Sequence, residues 1–119
     1  MSDILVADDG AIRTIRMNRP EKKNALTLAM YTAMAEAIEA AQGEPNLRCL
    51  LIAGGETGFC AGNDIGDFVE MTKTGALGEQ IVRFMHALAK NEKPLIAAVT
   101  GNAVGVGTTM LLHCDYVVA

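Results

Sequence analysis

Two short apolar stretches constrain this chain more than anything else in it: Cys49-Leu50-Leu51-Ile52-Ala53 and Leu95-Ile96-Ala97-Ala98-Val99. A run without a polar member is apolar on both faces, so each reads as a buried strand of a parallel sheet. Each is followed by a glycine-bearing turn, Gly58-Phe59-Cys60-Ala61-Gly62-Asn63-Asp64-Ile65 after the first and Gly101-Asn102-Ala103-Val104-Gly105-Val106-Gly107 after the second. Open α/β sheets bind ligands in the crevice beyond the carboxyl ends of their strands. Two turns there can aim backbone N–H groups at one point, as an oxyanion requires.

Gly62 and Gly105 allow close backbone approach, and the N–H groups of Ala61 and Val106 sit beside them. Val106 would also open a helix, where the peptide dipoles favour negative charge. Spacing alone leaves the alternative open that these are two tight strand-to-helix turns with no ligand. A dinucleotide fingerprint is not expected, because its third glycine would fall at Met110. A phosphate loop is excluded by the lack of any Gly-Lys-Ser/Thr.

Around these turns the pattern predicts an opening hairpin, residues 4–7 and 11–17 about an Asp8-Asp9-Gly10 turn. A helix follows over residues 27–42, with Met30, Met34, Ala37, Ile38 and Ala41 inward, Thr27 as N-cap, and Gly43 and Pro45 as the stop. A short helical or irregular stretch is expected to about Met71, then a surface loop over residues 72–78. Ile81, Phe84, Met85 and Leu88 mark the next amphipathic helix. A last helix is predicted over residues 108–113 and a last strand over 115–118. Alternating helix and strand means α/β with largely parallel pairing. The last strand has nothing left to cover its second face, which leads to the expectation that residues 1–119 are the N-terminal portion of one larger domain.

Half of the residues are apolar and 20% are charged, the composition of a globular chain with one core. A net charge of −4 and no basic stripe exclude a nucleic-acid partner. No apolar segment approaches the roughly 20 residues that span a bilayer, and the N-terminus lacks a signal layout. The expectation is therefore a cytoplasmic protein with no membrane partner. Cys49, Cys60 and Cys114 are odd in number and never spaced Cys-x-x-Cys, so neither disulfides nor a metal site is expected. Cys60 reads as a small buried residue, with an exposed reactive thiol as the alternative. His113 beside Cys114 makes a weak pair, because adjacent side chains point apart. Lys22 and Lys23 read as solvated charges or as contacts for a ligand phosphate.

Four motifs in order resemble the enoyl-CoA hydratase/isomerase (crotonase) superfamily: residues 18–26 (Asn18-Arg19-Pro20 through Asn24-Ala25-Leu26), 59–65, 93–101, and 103–115. The resemblance covers essentially the whole chain. It implies the crotonase (ClpP-like) spiral of ββα turns, of which this chain would be the N-terminal portion. It implies an acyl-CoA thioester as substrate, coenzyme A being part of that substrate rather than a separate cofactor, and a homo-oligomer, trimeric or hexameric. By position, the backbone N–H groups of Ala61 and Val106 would hold the thioester enolate. Gly62, Asn63, Asp64 and Ile65 would line the acyl pocket, with Asp64 fixing the loop rather than acting as a base. Lys22, Asn24 and Ala25 would contact the CoA moiety, and Gly105 and Thr109 would belong to the substrate-binding set as well.

One departure bears on chemistry. Where hydratases place the first of two catalytic glutamates, this chain has Thr109, which cannot move a proton as a carboxylate does at neutral pH. The wording of both loops resembles the Δ3,Δ2-enoyl-CoA isomerase branch, whose one glutamate would lie beyond Ala119. The reading is thus double-bond isomerisation of a 3-enoyl-CoA in the whole protein. A non-catalytic acyl-CoA-binding module or inactive fragment is the alternative, and a Cys60-dependent enzyme stands third.

Overall fold

A computed structural model of the chain describes residues 2–74 and 78–119. The chain opens with a hairpin, β1 (Ile4–Asp9) and β2 (Ile12–Met17). The strands reach further than the polar residues suggested. Asp9 pairs with Ile12, so the turn is Gly10-Ala11, with Gly10 at φ 60°. Asp8 stays in the strand because it faces Arg13, whose guanidinium grips its carboxylate from two nitrogens at 2.8 and 3.0 Å.

After a single 3₁₀ turn (Pro20–Lys22) comes α1 (Leu28–Gln42), capped by Thr27, whose hydroxyl accepts the Met30 N–H at 3.1 Å. The inward residues expected for it are all buried, joined by Tyr31 and Ala35. β3 (Cys49–Ala53) has the bounds its apolar run predicts. The next helix, α2 (Ile65–Thr74), runs three residues past Met71. The rest of the predicted surface loop includes residues 75–77, outside the described ones. α3 (Glu79–Lys90) buries Ile81, Phe84, Ala87 and Leu88. β4 (Leu95–Ala98), α4 (Val106–Leu111) and β5 (Tyr116–Val118) complete the chain. The last helix starts at Val106, where the second glycine turn implies a helix start, two residues before the span expected over 108–113.

The sheet order is β1-β2-β3-β4-β5, antiparallel in the hairpin and parallel thereafter, as expected for α/β. Register places Ile15, Ile52 and Ala97 in one row and Leu50 and Leu95 in another, all buried. They form one core with α1 and α3, which pack on each other. The opposite face, with Leu5, Ile12, Tyr116 and Val118 exposed, is open.

A second, smaller layer matters more for the site. Leu26 bridges Asn63, and Cys60 bridges Ala103, both in parallel sense. Successive passages of the chain therefore run strand, short bridging segment, helix: β2 to Leu26 to α1, β3 to Cys60 and Asn63 to α2, β4 to Ala103 to α4. The bridging segments carry both glycine turns.

Candidate active site

The two turns are pressed together by backbone. Beyond β3, Gly54 leaves no room for a side chain: a Cβ there would lie 2.6 Å from the Gly58 carbonyl oxygen and 2.8 Å from the Phe59 Cα. The Phe59 and Cys60 N–H groups donate to the Asn102 carbonyl at 3.2 and 3.1 Å, and the Val104 N–H returns to the Cys60 carbonyl at 2.9 Å. Both turns then bend through positive φ, Gly62 at 95° and Gly105 at 59°. A Cβ on Gly105 would sit 3.9 Å from the Gly62 Cα. Just past this near-contact, Gly107 lies against Cys60, where an added Cβ would meet the Cys60 Cβ at 2.8 Å. The Ala61 and Val106 N–H groups flank the Gly62–Gly105 approach. Among the described residues, neither has a protein acceptor.

A brace formed by residues 19–26 stands behind the first turn. Lys23 and Asn24 adopt φ of 51° and 62°, which turns the Asn24 side chain inward. Its amide nitrogen donates to the Gly58 and Phe59 carbonyls, each at 3.1 Å, and its oxygen accepts the Arg19 N–H at 2.8 Å. Arg19 Nη1 donates to the Ala25 carbonyl and to Asp64 Oδ2, both at 2.9 Å. The Leu26 N–H donates to the Gly62 carbonyl at 2.7 Å, and the Asp64 N–H to the Leu26 carbonyl at 2.8 Å. From the core, the Tyr31 hydroxyl donates to Asn63 Oδ1.

Between brace and turn lies a cleft of about 350 Å³, lined by Lys22, Ala25, Ala61, Asn63, Asp64, Ile65 and Gly66. Ala61 also lines a smaller hollow of about 80 Å³ with Lys23, Thr57, Gly58, Asn102 and Val104. Most residues singled out from the sequence therefore converge on one cleft. The others sit elsewhere. Asn24, expected beside the ligand, is buried beneath the wall with its side chain fully used. Gly62 is buried behind the cleft. Thr109 is exposed on α4, its hydroxyl donating to the Gly105 carbonyl at 3.2 Å, and lines neither hollow. A larger groove of about 470 Å³ runs between α1 and α3 past Glu39, Arg83 and His86, and touches none of these residues.

Asp64 is the carboxylate of the cleft. The Asp67 N–H at 3.0 Å, first, and then the Arg19 guanidinium hold its pKa below the ordinary 3.8. Each of its oxygens is thus held by a donor, Oδ1 by the Asp67 N–H and Oδ2 by Arg19. Cys60 is buried, and burial pushes its thiol above the ordinary range, offset in part by the Gly62 N–H. That argues against a reactive thiolate. The cleft thus carries one backbone donor without an acceptor among the described residues, the Ala61 N–H, with Lys22 on its wall; Val106, on the second turn, lines neither hollow.

Arg19, Tyr31 and Asp67, which accepts the Leu28 N–H at 2.8 Å, are the positioning residues that sequence reading did not single out. Arg19 and Asp64 lie 45 positions apart, and Tyr31 and Asn63 lie 32 apart. Only the pairing of successive bridging segments brings them together.

The family model for enoyl-CoA hydratase/isomerase matches residues 7–119. The 1,2-epoxyphenylacetyl-CoA isomerase of Escherichia coli K12 is 37% identical, over 100% of this chain and 48% of its own length. The 2,3-dehydroadipyl-CoA hydratase of the same organism is 33% identical, over 100% of this chain and 47% of its own. Among solved structures, OdaA of Pseudomonas aeruginosa superposes with a TM-score of 0.91 at 49% identity, covering 98% of this chain and 47% of that one. The chain spans about half the length of the curated relatives it matches.

Proposed function

This chain belongs to the enoyl-CoA hydratase/isomerase family, and we propose that its cleft binds an acyl-CoA thioester whose carbonyl oxygen is received by the Ala61 and Val106 N–H groups. The observation that carries this reading is the pair of unpaired donors flanking the Gly62–Gly105 approach. Lys22, on the wall beside Ala25, suits an anionic group of the CoA moiety, and Ile65 supplies apolar wall for the acyl part. Coenzyme A enters as part of the substrate, and no separate cofactor is invoked.

In the whole protein, a base moves a proton from C2 to C4 of a 3-enoyl-CoA while the two donors hold the intermediate enolate. That base is not among the residues of this cleft. The names of the relatives divide between isomerase and hydratase, so Thr109 carries the choice. A hydroxyl engaged with the Gly105 carbonyl cannot activate the water that hydration consumes. Self-association, implied by the family resemblance, belongs to the same proposal.

Calorimetric titration of the chain with a 3-enoyl-CoA, followed together with product absorbance, tests the reading. Heat without conversion is expected. No heat would sink the acyl-CoA assignment, and conversion would place a base within these residues. In the whole protein, Val106→Pro deletes one donor at the first helical position, where proline fits. It should lower kcat roughly 100- to 1,000-fold.

A further inference from the structure

The Ala61 N–H makes no hydrogen bond among the described residues, Ala61 is exposed, and the next residue is a glycine at φ 95°. Its peptide is anchored on the carbonyl side, where the Val104 N–H donates to the Cys60 carbonyl at 2.9 Å. Glycine resists rotation of its peptide less than any other residue. A donor that is to meet a developing charge must nevertheless be fixed before the reaction, because reorganisation at that moment costs rate. The Val104 bond fixes one side of that peptide, and the chain leading into it must be fixed as well.

We propose that Asn24 is a positioning residue for the Ala61 N–H, acting on the chain that leads into its peptide, an inference that rests on the oxyanion reading above. Asn24 uses both amide hydrogens on consecutive carbonyls, Gly58 and Phe59, which fixes the chain immediately before the Cys60–Ala61 peptide. Its own position is set by the Arg19 N–H on its oxygen. It is 1% exposed, so water cannot replace these bonds. Two residues on, the Leu26 N–H holds the Gly62 carbonyl, one peptide beyond Ala61. One short segment therefore fixes the chain on both sides of the peptide whose carbonyl the Val104 N–H holds. Asn suits the task for two reasons: it offers two donors and one acceptor, and it tolerates φ near 62° better than most residues. Asn24 does not line the cleft, so its influence on a ligand passes through Ala61.

The test reads the donor rather than stability. Asn24→Asp keeps the shape, the backbone tolerance and the acceptor for Arg19, but sets an oxygen against the Gly58 and Phe59 carbonyls. A 3-enoyl-CoA labelled with ¹³C at the thioester carbonyl is added to saturation, and the carbonyl stretch is read by difference infrared spectroscopy. The wild-type chain should lower the bound stretch relative to free ligand, and Asn24→Asp should lose most of that lowering while still forming the complex. Leu88→Ala, a core truncation far from the brace, should lower the melting temperature yet keep the full shift. Should Asn24→Asp not fold, Asn24→Gly, which accepts the same φ without strain, is expected to lose the shift likewise. A full shift in a folded Asn24 variant overturns the proposal. A wild-type complex with no shift overturns the oxyanion reading instead, so the two failures are distinguishable.

Discussion

Around Ala61 the chain is held from the side by residues far away in sequence: Asn24 on Gly58 and Phe59, Arg19 on Asp64, and Tyr31 on Asn63. Around Val106 the side-chain bonds among the described residues are local. The Thr108 hydroxyl donates to the Ala103 carbonyl at 2.6 Å and the Thr109 hydroxyl to the Gly105 carbonyl. What places the second turn is its backbone docking on the first, through Asn102, Val104 and the close fits of Gly101 on Gly58 and Gly107 on Cys60. One turn is braced by side chains, and the other inherits its position by fit. The first should therefore be sensitive to lost polar groups and the second to added atoms.

Adding one atom to the second turn is the strongest way to test this difference. Gly107→Ala puts a Cβ 2.8 Å from the Cys60 Cβ and 2.9 Å from the Cys60 carbonyl oxygen, neither of which is a flexible side-chain end. α4 must shift away, at a cost of about 1–3 kcal/mol in a denaturant titration. Gly55→Ala is the matched control, since its Cβ would meet nothing within 4 Å. Equal stability of the two variants would mean that the second turn is not seated by fit.

Acid should separate the turns in the opposite direction. Asp64 belongs to the first turn, whereas residues 101–107 contain no titratable side chain. Because the Asp67 N–H and Arg19 hold the Asp64 pKa below 3.8 in the folded chain, the unfolded chain takes up this proton first as pH falls. The stabilisation is complete above the unfolded value and disappears as pH drops through the folded one. Unfolding of wild type and Asp64→Asn, compared from pH 5 to pH 2, should show an excess loss in wild type. Amide shifts near Ala61 should move before those near Val106. Parallel curves for the two proteins would remove Asp64 from the brace.

These asymmetries also mark what the sequence made legible. β3 and the inward face of α1 follow from apolar patterning, which reports burial directly. The start of α4 is legible at Val106 beside the Gly105 turn, while Gly107 reads as a turn residue and pushes the expected helical span to 108. The absent side chain of Gly107 answers to Cys60 across the site, not to backbone bending within its own helix. The family resemblance sets Asn24 beside the ligand together with Lys22 and Ala25, and only those two line the cleft. A positive φ at Lys23 and Asn24 turns the intervening side chain under the wall, which residue types alone do not reveal. The cleft residues were legible as motifs, while the brace, made across dozens of positions, left no spacing to read.

The smallest expected effect is the sharpest test of that brace. Tyr31 is 1% exposed, stacks edge-on against Phe84 with ring centroids 5.5 Å apart, and reaches Asn63 through its hydroxyl alone. Burial, first, keeps that hydroxyl protonated well above its ordinary 10, so it donates throughout the neutral range. Tyr31→Phe keeps the ring contact and deletes one hydrogen bond. Asn63 is exposed, so water replaces part of what is lost, and the cost should be about 1 kcal/mol. Location matters more than size here. Amide shifts should change at residues 61–64 and stay put at 105–107, because the second turn touches the first through Gly58, Cys60 and Gly62 rather than through Asn63. Equal changes at both turns would mean that the two donors move as one body, and the distinction between a braced turn and a fitted one would fall.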